Sequence, residues 1–101
     1  DPQTAALAGY VLTLFRDPEG LDPLLRYWRS QKTSHELDRL VFRAISVLDA
    51  GEQIPILKQI YARLGQHDKG EFYWTIRSMT GPEILAFRKQ IRQEVGVSNL
   101  Q

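Results

Sequence analysis

The chain holds two histidines, His35 and His67, and no cysteine, so its stock of nitrogen and sulfur metal ligands is small. A zinc site needs three or four ligands at recognisable spacing. Neither histidine has a second one a helical turn away, and no acidic loop of the calcium-binding kind occurs. The acidic pairs Asp17/Glu19 and Glu36/Asp38 have the residue types for general acid–base work. Nothing around either pair suits it to proton transfer, and helix capping accounts for Glu36. The glycines stand at helix ends instead of in a phosphate-cradling run. The expectation is a protein that is not an enzyme, with no catalytic residue, no metal and no cofactor.

The aromatic and basic residues carry more. Phe72-Tyr73-Trp74 places three rings on consecutive helical positions, about 100° apart. With Phe72 inside beside Ile76 and Met79, Trp74 must point away from the core. Tyr27-Trp28 sets the same problem earlier in the chain. Tyr, Trp and Arg concentrate where proteins bind one another. Tyr27, Trp28, Tyr73 and Trp74 are therefore the expected partner-binding residues, with Arg77 and Arg88 orienting the partner. The alternative uses Arg88, Lys89 and Arg92, edged by Arg77 and Lys69, to hold single-stranded nucleic acid by stacking and phosphate contact. Glu83 and Glu94 beside that basic cluster, and a net charge of only +1, place nucleic acid second.

Helix punctuation frames these residues. An apolar stripe from Thr4 to Arg16 (Leu7, Val11, Leu14, Phe15) ends at Asp17-Pro18-Glu19-Gly20. Asp22-Pro23 starts a second helix by the N-cap and first-turn proline device. Thr33-Ser34-His35-Glu36 reads as a capping box with Thr33 at the cap, opening the stripe Leu37, Leu40, Val41, Ala44, Ile45 and Leu48. Ile54-Pro55 opens a fourth helix closed by Gly65, Asp68-Lys69-Gly70-Glu71 caps a fifth, and Pro82 to Val95 forms the last. No segment alternates with period two. The expected fold is all-α: a compact bundle of five to six short helices, one domain over residues 1–96 and a frayed tail over 97–101.

Composition agrees with an ordinary globular chain, 43 % hydrophobic and 25 % charged over 101 residues. The charge is uneven: 6 basic and 8 acidic side chains in residues 1–52, against 7 and 4 in 53–101. No apolar run approaches the roughly 20 residues that span a bilayer, so no membrane partner is expected and the predicted location is intracellular, in the cytoplasm. The start at Asp1 without Met is read as that of an excised or processed piece. The breadth of the first stripe suggests a helix that is central or shared, including a homodimer through Leu7, Val11, Leu14 and Phe15.

From Leu21 to Met79 the layout resembles the harmonin-homology domain, a small helical module of scaffold and adaptor proteins. Leu24-Leu25 followed by Tyr27, Leu40-Val41 through Leu48, Ile56-Leu57 with Ile60, and Phe72 after a polar turn carry the likeness. Leu64-Gly65 stands where that family tends to have Ile-Pro, Phe72 lacks a following acidic residue, and the helix from Pro82 is additional. The resemblance implies a groove between helices for a short, often helical, partner peptide. The function expected is a protein–protein interaction domain of adaptor or scaffold type, binding a partner helix in such a groove.

Overall fold

In a computed structural model of the chain, which describes residues 1–100, every apolar stripe becomes an α-helix. The helices are α1 (Pro2–Leu14), α2 (Leu21–Ser30), α3 (His35–Leu48), α4 (Ile54–Ala62), α5 (Gln66–Ile76) and α6 (Pro82–Val95). Turns of 3-10 helix occupy Pro18–Gly20, Gly51–Gln53 and Val97–Leu100. There is no strand among the described residues, and the fold is all-α as the periodicity requires. The helices gather into two units, Asp1–Leu48 and Asp49–Gln101.

Helix starts lie one or two residues from the sequence signals, and at α1 and α3 a side-chain cap accounts for the shift. α1 begins at Pro2 because the Asp1 carboxylate accepts from the Thr4 amide at 2.9 Å and from its hydroxyl at 3.0 Å. It ends at Leu14 because Arg16 turns left-handed (φ 64°). The Arg16 amide then donates to the Thr13 carbonyl at 2.8 Å, and Asp17 to Leu12 at 3.0 Å, the paired bonds of a Schellman stop. α2 begins at Leu21, and Asp22 lies inside its first turn, paired with Arg26. Both side chains are at least 70 % exposed, so this ion pair adds little. α3 is capped by Ser34, whose hydroxyl accepts from the Leu37 amide at 3.3 Å. Thr33 thus lies outside, and Glu36, one position too early, cannot close the expected box. α5 starts two residues before the Asp68 signal, at Gln66, which leaves Asp68 in the first turn where its charge suits the helix dipole.

In the first unit, α1 faces inward with its small residues, Ala6, Gly9 and Thr13. Thr13 satisfies its hydroxyl on the Tyr10 carbonyl at 2.6 Å. Gly9 and Gly20 meet backbone to backbone: a Cβ on Gly9 would lie 2.4 Å from the Gly20 carbonyl oxygen, and one on Gly20 2.2 Å from that of Gly9. A helix that comes this close turns small residues inward, and its large ones face out. Leu24, Leu25, Val41, Phe42, Ala44 and Ile45 of α2 and α3 are buried.

In the second unit, Tyr61 of α4, Phe72 of α5 and Phe87 of α6 form a ring triangle, with centroids 5.6, 5.6 and 6.1 Å apart. Ile60, Ile76, Ile84 and Ile91 are fully buried in the same helices. Asp49, itself left-handed (φ 51°), accepts from the Thr80 amide at 3.0 Å and the Thr80 hydroxyl at 2.5 Å. This holds the turn into Gly81 (φ 105°), where α6 begins. Residues 97–100 differ from the frayed tail expected. They form a 3-10 turn in contact with α5 and α6, Leu100 is buried, and the Asn99 side-chain Nδ2 donates to the Val95 carbonyl at 2.8 Å. The hydrophobic pull of Leu100 outweighs end fraying. Gln101, the last residue of that expected tail, lies outside the described residues.

Candidate functional site

Two surfaces hold the residues singled out in the sequence, one in each unit. In the first unit the outer face of α1 is apolar and open. Leu7, Val11 and Leu14 are 47–50 % exposed and Phe15 81 %. No charged residue interrupts the helix between Pro2 and Leu14. The stripe read from the sequence is therefore a continuous helix face turned to solvent. Beside it, α1, the end of α2 and the start of α3 enclose a groove of about 640 Å³, lined by Leu7, Leu24, Tyr27, Leu37 and Leu40. Ser30, Gln31, Lys32 and Glu36 line it as well. A mixed apolar and polar lining suits a protein-binding groove.

Tyr27 is thus a groove residue. Trp28 is half-buried and occupied elsewhere: its indole N–H donates to the Asp38 carboxylate at 2.8 Å, tying α2 to α3. Asp38 is 2 % exposed. Asp38 stands three, four and seven residues before Val41, Phe42 and Ile45, so it shares their buried face.

In the second unit, α5 and α6 bring Tyr73, Trp74, Arg77, Arg88 and Arg92 together. Phe72, Ile76 and Met79 are buried as their spacing demands, and Trp74, on the far side, is 45 % exposed. Tyr73, between them, is buried. The Tyr73 and Trp74 rings meet edge to face at 5.5 Å. The Arg92 guanidinium donates to the Tyr73 hydroxyl at 2.9 Å, Arg88 lies over the Tyr73 ring at 5.7 Å, and Arg77 covers the Trp74 ring at 4.9 Å. The Trp74 indole N–H donates to the Leu100 carbonyl, a contact hidden from sequence reading by the expected frayed tail. Lys89 stays exposed.

The tyrosines of this unit are driven in opposite directions. Burial, helped by a 3.0 Å hydrogen bond to the Glu94 carboxylate, pushes the Tyr61 phenol up to about 12. Burial also pushes Tyr73 up, but hydrogen bonding and charge from Arg92 and Arg88 outweigh it, and its pKa falls below the usual value. The signs follow. The Tyr61 contribution to stability is complete below pH 10.0 and is lost as pH rises through about 12. The Tyr73 contribution is present above pH 10.0 and is lost as pH falls through its lowered pKa. A phenolate titration should therefore find Tyr73 ionising before Tyr61. Coincident ionisation of the two would show that neither environment exists in solution.

Among the described residues no three His, Asp or Glu side chains gather into a group that could hold a metal ion. Among the same residues no helix is long and apolar enough to cross a membrane. No protein-family model, curated protein or solved structure matches the chain.

Proposed function

We propose that this chain is a non-enzymatic protein-interaction domain of adaptor or scaffold type, whose first unit receives an amphipathic helix of another protein. One observation carries the reading: α1 turns Leu7, Val11, Leu14 and Phe15 to solvent while its small residues face inward. An uncharged apolar helix face is costly to leave in water, at about 25 cal/mol per Å², and it joins the neighbouring groove through Leu7. A partner helix would place anchors spaced three and four residues apart along α1 and into the groove beside Tyr27. A second copy of the chain, paired through the same α1 face, is the self-associating form of this reading. The likeness to the harmonin-homology domain adds the same kind of occupant, a short helical peptide between helices.

The test is a photo-crosslinking amino acid in place of Phe15, in wild type and in a Leu7→Glu/Val11→Glu variant checked for helicity. Both substitutions are on exposed positions, so folding should survive. The reading expects discrete protein adducts that fall by about tenfold or more in the variant, as hot-spot anchors do. Adducts of twice the chain mass would identify self-association. Equal adducts in both proteins would remove α1 from any interface and sink the reading.

A further inference from the structure

We propose that the Arg88–Arg92–Tyr73 cluster, flanked by Arg77 on Trp74, is an oxyanion site that takes carboxylates from an acidic peptide segment. It lies in the second unit and goes beyond the apolar docking proposed for the first. Arg77, Arg88 and Arg92 make no ion pair among the described residues, although residues 53–101 also carry four acidic side chains. Glu94, on the same helix as Arg88 and Arg92, is committed to Tyr61 and to Gln90. Arg88 and Arg92 are one helical turn apart, a spacing at which like charges repel. Both converge on the single phenol of Tyr73.

The Arg88 Nε is buried and has no hydrogen-bond acceptor. A guanidinium offers five N–H donors and no acceptor of its own. That Nε is shielded from solvent, so a carboxylate would reach Arg88 through its terminal guanidinium nitrogens, in charge-assisted form, and the Nε–H beside them would report it. The cluster is thus rich in donors, short of acceptors and partly open to solvent.

The arrangement of the rings selects the ligand class. Single-stranded nucleic acid needs free aromatic faces for its bases. Here Arg77 lies over Trp74, Arg88 lies over Tyr73, Tyr73 is buried, and the two rings also pack on each other. What remains available is the guanidinium edges. They are spread over the end of α5 and along α6, so they match several carboxylates along an extended chain better than one compact phosphate. Arginine forks suit carboxylates in bidentate geometry.

The experiment follows the arginine Nε–H and indole N–H resonances of the whole ¹⁵N-labelled chain at low salt. The probes are hexaglutamate, inorganic phosphate and oligothymidylate, each added separately. The proposal expects a saturable shift of the Arg88 Nε–H with hexaglutamate. It expects affinity to fall about tenfold in Arg88→Gln and in Arg92→Gln, and by no more than about twofold in Lys89→Gln. Arg88→Lys keeps the charge and loses the fork, and it should weaken binding nearly as much as Arg88→Gln. The Leu7→Glu/Val11→Glu variant should bind hexaglutamate like wild type, so this site and the α1 reading fail separately. No saturable shift, or full binding by Arg88→Lys, overturns the site. Stronger binding of phosphate or oligothymidylate than of hexaglutamate overturns the ligand assignment. If a variant fails to fold, the wild-type titration alone decides.

Discussion

Replacing Gly9 by alanine should destabilise the chain by about 3 kcal/mol, although alanine is the better helix former by about 1 kcal/mol. The expected sign is the reverse of the intrinsic preference because of what the new methyl meets. At 2.4 Å from the Gly20 carbonyl oxygen it overlaps backbone, which cannot swing aside as a flexible side chain would. Either α1 lifts from the Pro18–Gly20 turn, or the turn breaks its own bond from the Gly20 amide to the Asp17 carbonyl. Gly20→Ala should cost a similar amount, since the contact is reciprocal. Gly70→Ala is the control. It lies inside α5, its added methyl would meet the Leu100 and Asn99 carbonyl oxygens at an ordinary 3.6 and 3.9 Å, and it should gain about 0.5–1 kcal/mol. Urea unfolding followed by far-ultraviolet circular dichroism would order the three variants. A raised midpoint for Gly9→Ala would mean that α1 does not lie this close, and the reason for its inverted face would go with it.

That inversion marks where sequence reading reaches its limit. The apolar period of residues 7–15 gives a helix, and it does so correctly, because periodicity reports which residues share a face. It does not report which way the face turns. Direction is decided by Gly9 and Gly20, eleven positions apart, whose contact has no local signature. Asp38 is a different case: its spacing to Val41, Phe42 and Ile45 puts it on the buried face, but only the Trp28 indole N–H from α2 makes a carboxylate tolerable there. Phe72, Ile76 and Met79 were legible as core because their spacing leaves one inward solution, and Trp74 was legible as exposed for the same reason. The basic residues of the last helix were also visible in the sequence. What was not visible is that Arg88 and Arg92 would spend their reach on the phenol of Tyr73, since that needs the register of α6 against α5. Leu100 shows the remaining failure: a single apolar residue near the end of the described chain is enough to order a turn, and no pattern statistic registers one residue.

The larger loss is expected in the second unit, where Phe72→Ala should cost about 4 kcal/mol, the usual range for a buried phenylalanine being about 3–5 kcal/mol. Phe72 is fully buried, and its ring sits 5.6 Å from Tyr61 and 6.1 Å from Phe87. Those two rings are already in contact with each other at 5.6 Å, so neither can close on the gap without leaving the other. The cavity term should therefore be retained in full. Phe72→Leu keeps most of the volume and loses the aromatic contacts, and it should cost about 1–2 kcal/mol. A second readout separates local loosening from general weakening. The Tyr61 phenol stands near 12 chiefly because it is buried. A cavity beside it admits solvent or lets the ring move, and its pKa should fall toward 10.0 while the chain is still folded. Tyr73 owes its lowered value to Arg92 and Arg88 on α6, so it should move only if α5 itself shifts. Thermal unfolding and phenolate titration of Phe72→Ala would measure both. A cost below about 1 kcal/mol with Tyr61 unmoved would mean that the ring triangle is not the packing centre of this unit. A large cost with both tyrosines displaced would mean that the oxyanion cluster is positioned by Phe72 one residue away, through the seating of α5.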